Sequence, residues 1–525
     1  MPARVCDLKE QHFDPNTPTR CTYAVIETPT ALREGRRYQR VLLVSPPATL
    51  FRGDFPRCTY PLGLGYIAAV LEMNGYEVHI LDCLAEGYEQ QTSVEGEPDF
   101  VTYGLGFDQI ASEIKAFGPD VIGVSSILSN QADVVAGIFQ VARNVCPSAK
   151  LATGGAHARY CAASYIEDVG VDAVFLGESE ASFLQYMEAL NGCGGLDGVD
   201  NAMVRDGDRI HIRDSTVLIN RKRRDSRGNW AEIDDIPYPA WHLYDMERYF
   251  SIGAYQSPYT VGGRVGQIYT SRGCTAKCTF CTATTFWAGA HRRRSPANVV
   301  GELEILKEHY AINEFQIVDD NITNDKTHAK ELFRSFSAVK LPWCTPQGTA
   351  LWRMDEELLD LMAASGCYQI TFAVESGVQR VLTDLIRKPL DLDKTKHLIW
   401  YARSLGICVH GFFIIGMPPM YGHPGESADE MRMTFDFAVA SGCQSASFFV
   451  ATPIIGSALF AECVRQGLIE RTTPLYRMSY KQGLISVPGL WNGPEIANMA
   501  ASFNRTFNLG KARRNARREW SSIQY

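Results

Sequence analysis

The chain has 525 residues, 46% hydrophobic and 21% charged, with a formal net charge of −8. That length exceeds one ordinary core, so two or three domains are expected. The acidic balance gives no general reason to bind nucleic acid, and no run approaches the ~18 apolar residues of a membrane span.

Residues 1–37 mix Pro, Thr and charge without periodicity and read as an arm. The N-terminus, Met1-Pro-Ala-Arg-Val-Cys-Asp-Leu-Lys-Glu10, lacks an apolar h-region, so no secretory signal is predicted. The 15 cysteines show no framework spacing, which points to reduced thiols and a cytoplasmic location.

From 38 to 191 the pattern alternates strand and helix. Arg40-Val-Leu-Leu-Val-Ser45, Glu77–Asp82, Asp120–Ser126, Lys150–Gly155 and Ala173–Gly177 read as strands of the buried parallel kind. Helical stretches lie around 66–73, 131–144, 160–168 and up to Leu190. This is the signature of an α/β, doubly wound sheet with its ligand at the strand C-termini. Gly63-Leu-Gly65 superficially matches a dinucleotide fingerprint but comes too late after the first strand.

Residues 192–255 read as a linker, with a β-hairpin turning at Asp206-Gly207, a polar stretch Asn220–Glu232, and a docking segment Ile236-Pro-Tyr-Pro-Ala-Trp241. From 256 to 462 six strands recur: Gly266–Tyr269, Glu314–Val318, Trp343–Gly348, Tyr368–Val374, Val409–Ile415 and Ser445–Ala451. A parallel barrel built this way carries its site just beyond those strands. A C-terminal extension, 463–525, includes the basic block Lys511–Arg518, which reads as a solvated helix face.

Beyond the first barrel strand stand Cys274, Cys278 and Cys281, three soft thiolate ligands within eight residues. They suit an iron–sulfur cube with one iron left open for a small molecule. A zinc knuckle using His291, or simple burial of small thiols, are the competing readings. Asp319-Asp320-Asn321 beyond strand two could bind a divalent cation or cap a helix. Ser376 in Glu375-Ser376-Gly377 could equally be a helix N-cap, and Gly416 could simply end a buried strand in a turn. Arg292-Arg293-Arg294 suits an anionic phosphate or phosphonate group, or else a solvated helix start. Gln347, Trp352, Arg353 and His410 are further candidates for the pocket.

The C-x3-C-x2-C spacing, with Phe280 before the last Cys, resembles the radical S-adenosylmethionine (SAM) enzymes. That resemblance implies a partial (β/α)6 barrel, a 4Fe-4S cluster and reductive cleavage of SAM to a 5′-deoxyadenosyl radical. It sets Phe280 beside adenine, and Asp319, Asp320 and Asn321 near the SAM ammonium. Glu375 and Ser376 would face ribose or carboxylate, with Gly416 near adenine.

The first domain resembles the cobalamin-binding domain ahead of many such cores, through Tyr60-Pro-Leu62-Gly63-Leu-Gly-Tyr66, Ser125-Ser126, Gly154-Gly155 and Gly177-Glu178. Leu84 stands where related cobalamin proteins carry a cobalt-ligating His, so the resemblance implies cobalt without a protein nitrogen beneath it. Together the chain is similar to the cobalamin-dependent radical SAM methylases, and in particular to the C-methyltransferases of fosfomycin biosynthesis. The stretches that carry this are Pro61–Ala69, Ser126–Asp133, Gly154–Tyr160, Tyr255–Thr260 and Thr345–Met354.

The resemblance implies methylation at C2 of cytidylyl-2-hydroxyethylphosphonate, with methylcobalamin as methyl donor and no residue as classical acid or base. The partners implied are a small anionic nucleotidyl phosphonate and an external one-electron donor such as reduced flavodoxin. A phosphorus-methylating or cyclising relative, or a cobalamin and iron–sulfur redox sensor, are the rival readings.

Overall fold

The computed structural model describes residues 36–214, 233–257, 259–470, 473, 475–479 and 481–515. Most of the arm, the stretch Asn220–Glu232 and the end of the basic block at 516–518 lie outside the described residues.

In chain order the first strands are β1 (Arg40–Ser45), β2 (Ala48–Phe51), β3 (Glu77–Asp82), β4 (Gln91–Val94), β5 (Glu97–Tyr103), β6 (Val121–Ser125), β7 (Lys150–Gly154), β8 (Ala173–Phe175), β9 (Ala202–Asp206) and β10 (Arg209–Arg213). Seven form one sheet in the order β10-β9-β8-β7-β6-β1-β3. The run from β3 to β8 is parallel. Strand β1, next to the edge strand β3, is covered on both faces, since Val41, Leu42, Leu43 and Val44 are all fully buried. The chain order reverses at β1, with β3 on one side and β6 on the other, leaving a crevice at their C-terminal ends.

The hairpin β9–β10 forms at Asp206-Gly207 and is hydrogen-bonded antiparallel onto β8, so it extends this sheet. A small antiparallel sheet, β2-β5-β4, and a helix Phe107–Phe117 were not anticipated from sequence. β4 is almost wholly exposed and polar, and carries no strand periodicity to read.

The barrel strands are β11 (Val265–Ile268), β12 (Ser271–Arg272), β13 (Arg292–Arg293), β14 (Glu314–Ile317), β15 (Trp343–Thr349), β16 (Cys367–Glu375), β17 (Cys408–Ile415) and β18 (Ser445–Val450). Six of them make a parallel sheet, β11-β14-β15-β16-β17-β18, in sequence order, with helices between. This is the expected partial (β/α)6 barrel. Its foot is filled by side-chain amides: Gln267 Nε2 donates to Gln316 Oε1 at 3.3 Å, and Ser257 Oγ to Gln369 Oε1 at 2.8 Å.

The free edge of β18 is covered by the helix Gly493–Asn515. Asn504 accepts from Phe448 N (2.9 Å) and donates to Phe448 O (2.8 Å), and Asn508 does the same at Ala446. Two side-chain amides thus stand in for a seventh strand and blunt an aggregation-prone edge.

One face of the first sheet shares a continuous apolar core with the barrel, while the other has its own. The segment 236–249 lies in the join: Trp241 Nε1 donates to Glu302 Oε1 at 3.0 Å and Tyr249 OH to Asp82 Oδ2 at 2.6 Å. Tyr60 OH reaches Val265 O at 3.0 Å. Among the described residues no disulfide joins any cysteine, and no helix is long and apolar enough to cross a membrane.

Candidate functional site

The loop bearing Cys274, Cys278 and Cys281 is pinned at its neck. β12 and β13 pair antiparallel, Ser271 opposite Arg293 and Arg272 opposite Arg292, so the loop closes on itself. Gly273 has φ +89, and a Cβ there would sit 2.2 Å from Ala290 O, so only glycine fits. Asp319, beyond β14, accepts from Thr270 N at 2.6 Å, Thr270 Oγ1 at 2.5 Å and Ser271 Oγ at 2.6 Å. Burial pushes its carboxyl up to about 6 against those hydrogen bonds. Asp320 accepts from Gly273 N at 2.9 Å. The acidic pair therefore staples the loop to the barrel, and Asp319 is fully engaged in doing so. The middle of the loop is held too, by Thr279 N to Ile386 O at 2.9 Å and Leu459 N to Thr279 O at 2.8 Å.

Cys278 is buried; Cys274 and Cys281 are half-buried. Burial pushes the thiols up, Cys278 to about 11 and Cys281 to about 12. A metal centre must displace those protons when it binds. The surroundings suit thiolate ligands: Asn321 Nδ2 approaches Cys274 Sγ at 3.7 Å, and Ala276 N at 3.5 Å. Lys388, 4% exposed, lies beside the Ile386 anchor and pairs with Glu375 at 2.8 Å. Burial opposes its charge, but Glu375 and Cys278 hold the Lys388 ammonium above the usual lysine range. N–H donors and a buried cation around three thiols fit an iron–sulfur cube, whose sulfurs carry negative charge.

The strand ends converge on this loop. Phe280 is half-buried and packs on the core. Glu375 adopts φ +71, a strained conformation for a non-glycine residue, and is held there by Lys388. Ser376 is fully buried; its Oγ accepts from Val378 N at 3.1 Å and meets Thr434 Oγ1 at 3.1 Å. This is a local turn ahead of the helix, which takes no side-chain cap from Ser376. Gly416 has φ +81, and its N–H and that of Met417 donate to Glu426 Oε2 at 2.8 and 3.1 Å.

Glu426 is fully buried, its Oε1 has no partner among the described residues, and burial pushes its carboxyl up to about 8. Its proton is retained by the folded chain and lost by the unfolded one between the ordinary carboxylate range and that value. Stability therefore falls as pH rises across this window, by about 1.4 kcal/mol per unit at most. Glu426→Gln is expected to flatten that slope: thermal midpoints of variant and wild type should diverge from pH 5 to 8 in the variant's favour. Parallel midpoints would mean that Glu426 is ionised throughout.

At the first sheet, Ser125, Gly154 and Gly177 are half-buried at the C-terminal ends of β6, β7 and β8. Ser126 is fully buried, with its Oγ 2.8 Å from Tyr165 OH. Gly155 has φ +112, and a Cβ would lie 2.6 Å from Ser126 O. Ile127 and Leu128 follow, exposed by 57% and 54%, an apolar shelf at the crevice that a flat macrocycle would cover. Leu84 is half-buried in the turn Cys83–Glu86, whose cap is Asp82. Gly63 is open to solvent, whereas Leu62 is buried in the core shared with the barrel.

Glu178 stands apart from this shelf. Its Oε1 accepts from Arg272 NH1 at 2.7 Å and its Oε2 from Arg292 NH1 at 2.6 Å. Burial opposes ionisation, yet the two guanidiniums hold its carboxyl below the usual range. Arg272 also pairs with Glu180 at 2.7 Å. Glu178 is thus a bridge between the domains instead of a corrin contact.

The arginine triplet divides accordingly. Arg292 faces Glu178, Arg294 is buried against Glu302 at 2.5 Å and Tyr269 O at 2.7 Å, and Arg293 pairs with Asp325. Neither an anion cluster nor a solvated face describes them, because alternate side chains of β13 point to opposite sides. Gln347 is exposed on β15, 3.5 Å from Gln256 Nε2. His410 lies near the start of β17, its ring between Ser445 Oγ (2.6 Å) and Ser447 Oγ (3.0 Å), and burial pushes it down to about 4. It is neutral and remote from the strand C-termini.

Sequence reasoning missed Arg272, Lys388 and Glu426. Lys388 and Glu426 act on groups 13 and 10 residues away, across turns that carry no motif.

The description "B12 binding domain" matches residues 49–186, and "Radical SAM superfamily" matches residues 268–438. The chain is 58% identical over 503 residues, 94% of each chain, to the cytidylyl-2-hydroxyethylphosphonate methyltransferase of Streptomyces wedmorensis. Its fold is similar to that of TsrM, a radical S-adenosylmethionine methyltransferase from Kitasatospora setae. The form with cobalamin and a [4Fe-4S] cluster bound gives a TM-score of 0.63 at 18% identity, covering 90% of this chain and 85% of that one. The form with tryptophan and a SAM analog gives 0.64 at 18% identity, covering 89% and 83%. The chain belongs to the family of the Streptomyces wedmorensis methyltransferase, radical SAM enzymes that carry a B12-binding domain ahead of the barrel.

Proposed function

We propose that this C-methyltransferase acts on C2 of cytidylyl-2-hydroxyethylphosphonate, giving cytidylyl-2-hydroxypropylphosphonate in fosfomycin biosynthesis. The 58% identity over 94% of both chains carries the substrate. The enzyme uses a [4Fe-4S] cluster, SAM and cobalamin. When bound, these supply a 5′-deoxyadenosyl radical that takes hydrogen from carbon and a methyl group that replaces it.

The chain's part is to hold and orient. Residues 38–191 take the corrin, on Ser125, Ser126, Gly154, Gly155, Gly177 and the Leu84 turn, with no imidazole at Leu84 to ligate cobalt. Within 256–462, Cys274, Cys278 and Cys281 hold the cluster, while Phe280, Asn321, Glu375, Ser376 and Gly416 line the SAM site. Asp319 and Asp320 fix the loop by the hydrogen bonds described. The segments 192–255 and 463–525 brace the join and the edge of β18. The electron comes from an external one-electron donor such as reduced flavodoxin, in the cytoplasm.

The test is anaerobic. Protein with verified cluster and corrin is given SAM, methylcobalamin and reductant, with the nucleotide conjugate and the free phosphonate in parallel. Methylation of the conjugate, with 5′-deoxyadenosine formed, is the expected result. 5′-Deoxyadenosine without a methylated product would leave the radical core standing and remove this substrate.

A further inference from the structure

The cluster loop takes its electron from outside the chain, and its surroundings close it unevenly. The first domain covers one side, where Arg272 and Arg292 reach Glu178 and Thr285 Oγ1 lies 2.6 Å from Tyr160 OH. The barrel covers another, where Thr279 is bonded to Leu385 and Ile386. Thr275 and Lys277, between the first two cysteines, are exposed.

Alternation along β13 sends Arg292 toward the first domain and Arg293 to the opposite side. There a depression of about 380 Å³ opens beside Thr275, lined also by His291, Arg293, Lys326 and Arg353. Asp325 and Asp355 neutralise Arg293 and Lys326. Arg353, at the turn beyond β15, is exposed and has no partner among the described residues. His291 Nε2 is buried at the same place without a partner among the described residues. On a chain of net charge −8, the sign is reversed where the cluster loop reaches solvent.

We propose that this face, Thr275 with Arg293, Lys326 and Arg353, receives a small acidic electron-carrier protein. The carrier loses one electron and the cluster gains it, with no proton required. The proposal rests on the reading that an external donor reduces the cluster. An open, cationic face beside the exposed Thr275 of the cysteine loop favours a protein partner, because complementary charge steers encounter and fixes orientation.

The test uses the full chain with its cluster, an acidic flavodoxin as the probe, and no phosphonate, so that it stands apart from the substrate. Flavodoxin affinity is read by calorimetry, and cluster reduction by paramagnetic resonance with flavodoxin hydroquinone or dithionite. In Lys326→Glu/Arg353→Glu, binding and flavodoxin-driven reduction should fall about tenfold or more at low salt. Wild type and variant should converge at high salt, and dithionite should reduce both alike. Arg353→Gln, a milder change, should shift both readouts severalfold in the same direction. Salt-independent binding by the wild type, or variants that bind and are reduced as it is, would overturn the proposal. Wild type reduced through this face yet forming no 5′-deoxyadenosine from SAM would instead count against the function.

Discussion

Cys278→Ala is expected to abolish cluster loading and to cut 5′-deoxyadenosine formation by on the order of a thousandfold or more. Cys278 is the most buried of the three thiols and lies next to Thr279, whose main chain and hydroxyl are tied to Ile386 and Leu385. The neck of the loop is fixed separately, by Asp319 and by the β12–β13 pair. Neither set of bonds involves the sulfur, so the loop should keep its course while losing one ligand. A loop held at both ends cannot slide another residue into that place. Iron and sulfide per chain, measured after reconstitution, should fall to background while the circular dichroism of the protein is kept. A variant that still loads four irons would remove Cys278 from the ligand set.

Much of the fold was legible because burial writes itself into the sequence. β1 reads as a buried parallel strand from four consecutive apolar residues, and the six barrel strands appear within a residue or two of their positions. The thiol triplet was legible because its three members share one loop, close in sequence as well as in space. Other features were hidden for a physical reason. Glu178 looks like a corrin contact from its place beyond β8, but its partners lie 94 and 114 residues away. Ion pairs between domains leave no periodicity on either strand. The arginine triplet misleads in the same way: three like charges in a row suggest one patch, whereas a short strand deals them to opposite sides. The edge strand β4 and the helix-borne Asn504 and Asn508 show the complementary case, where polar residues do structural work without an apolar pattern.

The second large effect concerns that hidden bridge. Arg272 lies two residues before the first cluster cysteine and is forked between Glu178 and Glu180, with all three side chains less than one-tenth exposed. Its guanidinium also lies 5.0 Å from the Tyr66 ring. Arg272→Met removes one cation from a four-charge network, leaving Glu178 to Arg292 and Glu180 buried without the cation it faces. Breaking a buried pair on one side costs about 3–5 kcal/mol, so the thermal midpoint should drop by several degrees. Arg272→Met with Glu180→Gln neutralises the stranded carboxylate while Glu178 keeps Arg292, and should recover most of that loss, since buried ion pairs add little net stability. Function should not recover with it. The bridge sets the cluster loop against the loop beyond β8, and methyl transfer requires both cofactor sites to address one carbon. The double variant should therefore cleave SAM yet give less methylated product per 5′-deoxyadenosine, and a ratio equal to wild type would reduce the bridge to a structural tie.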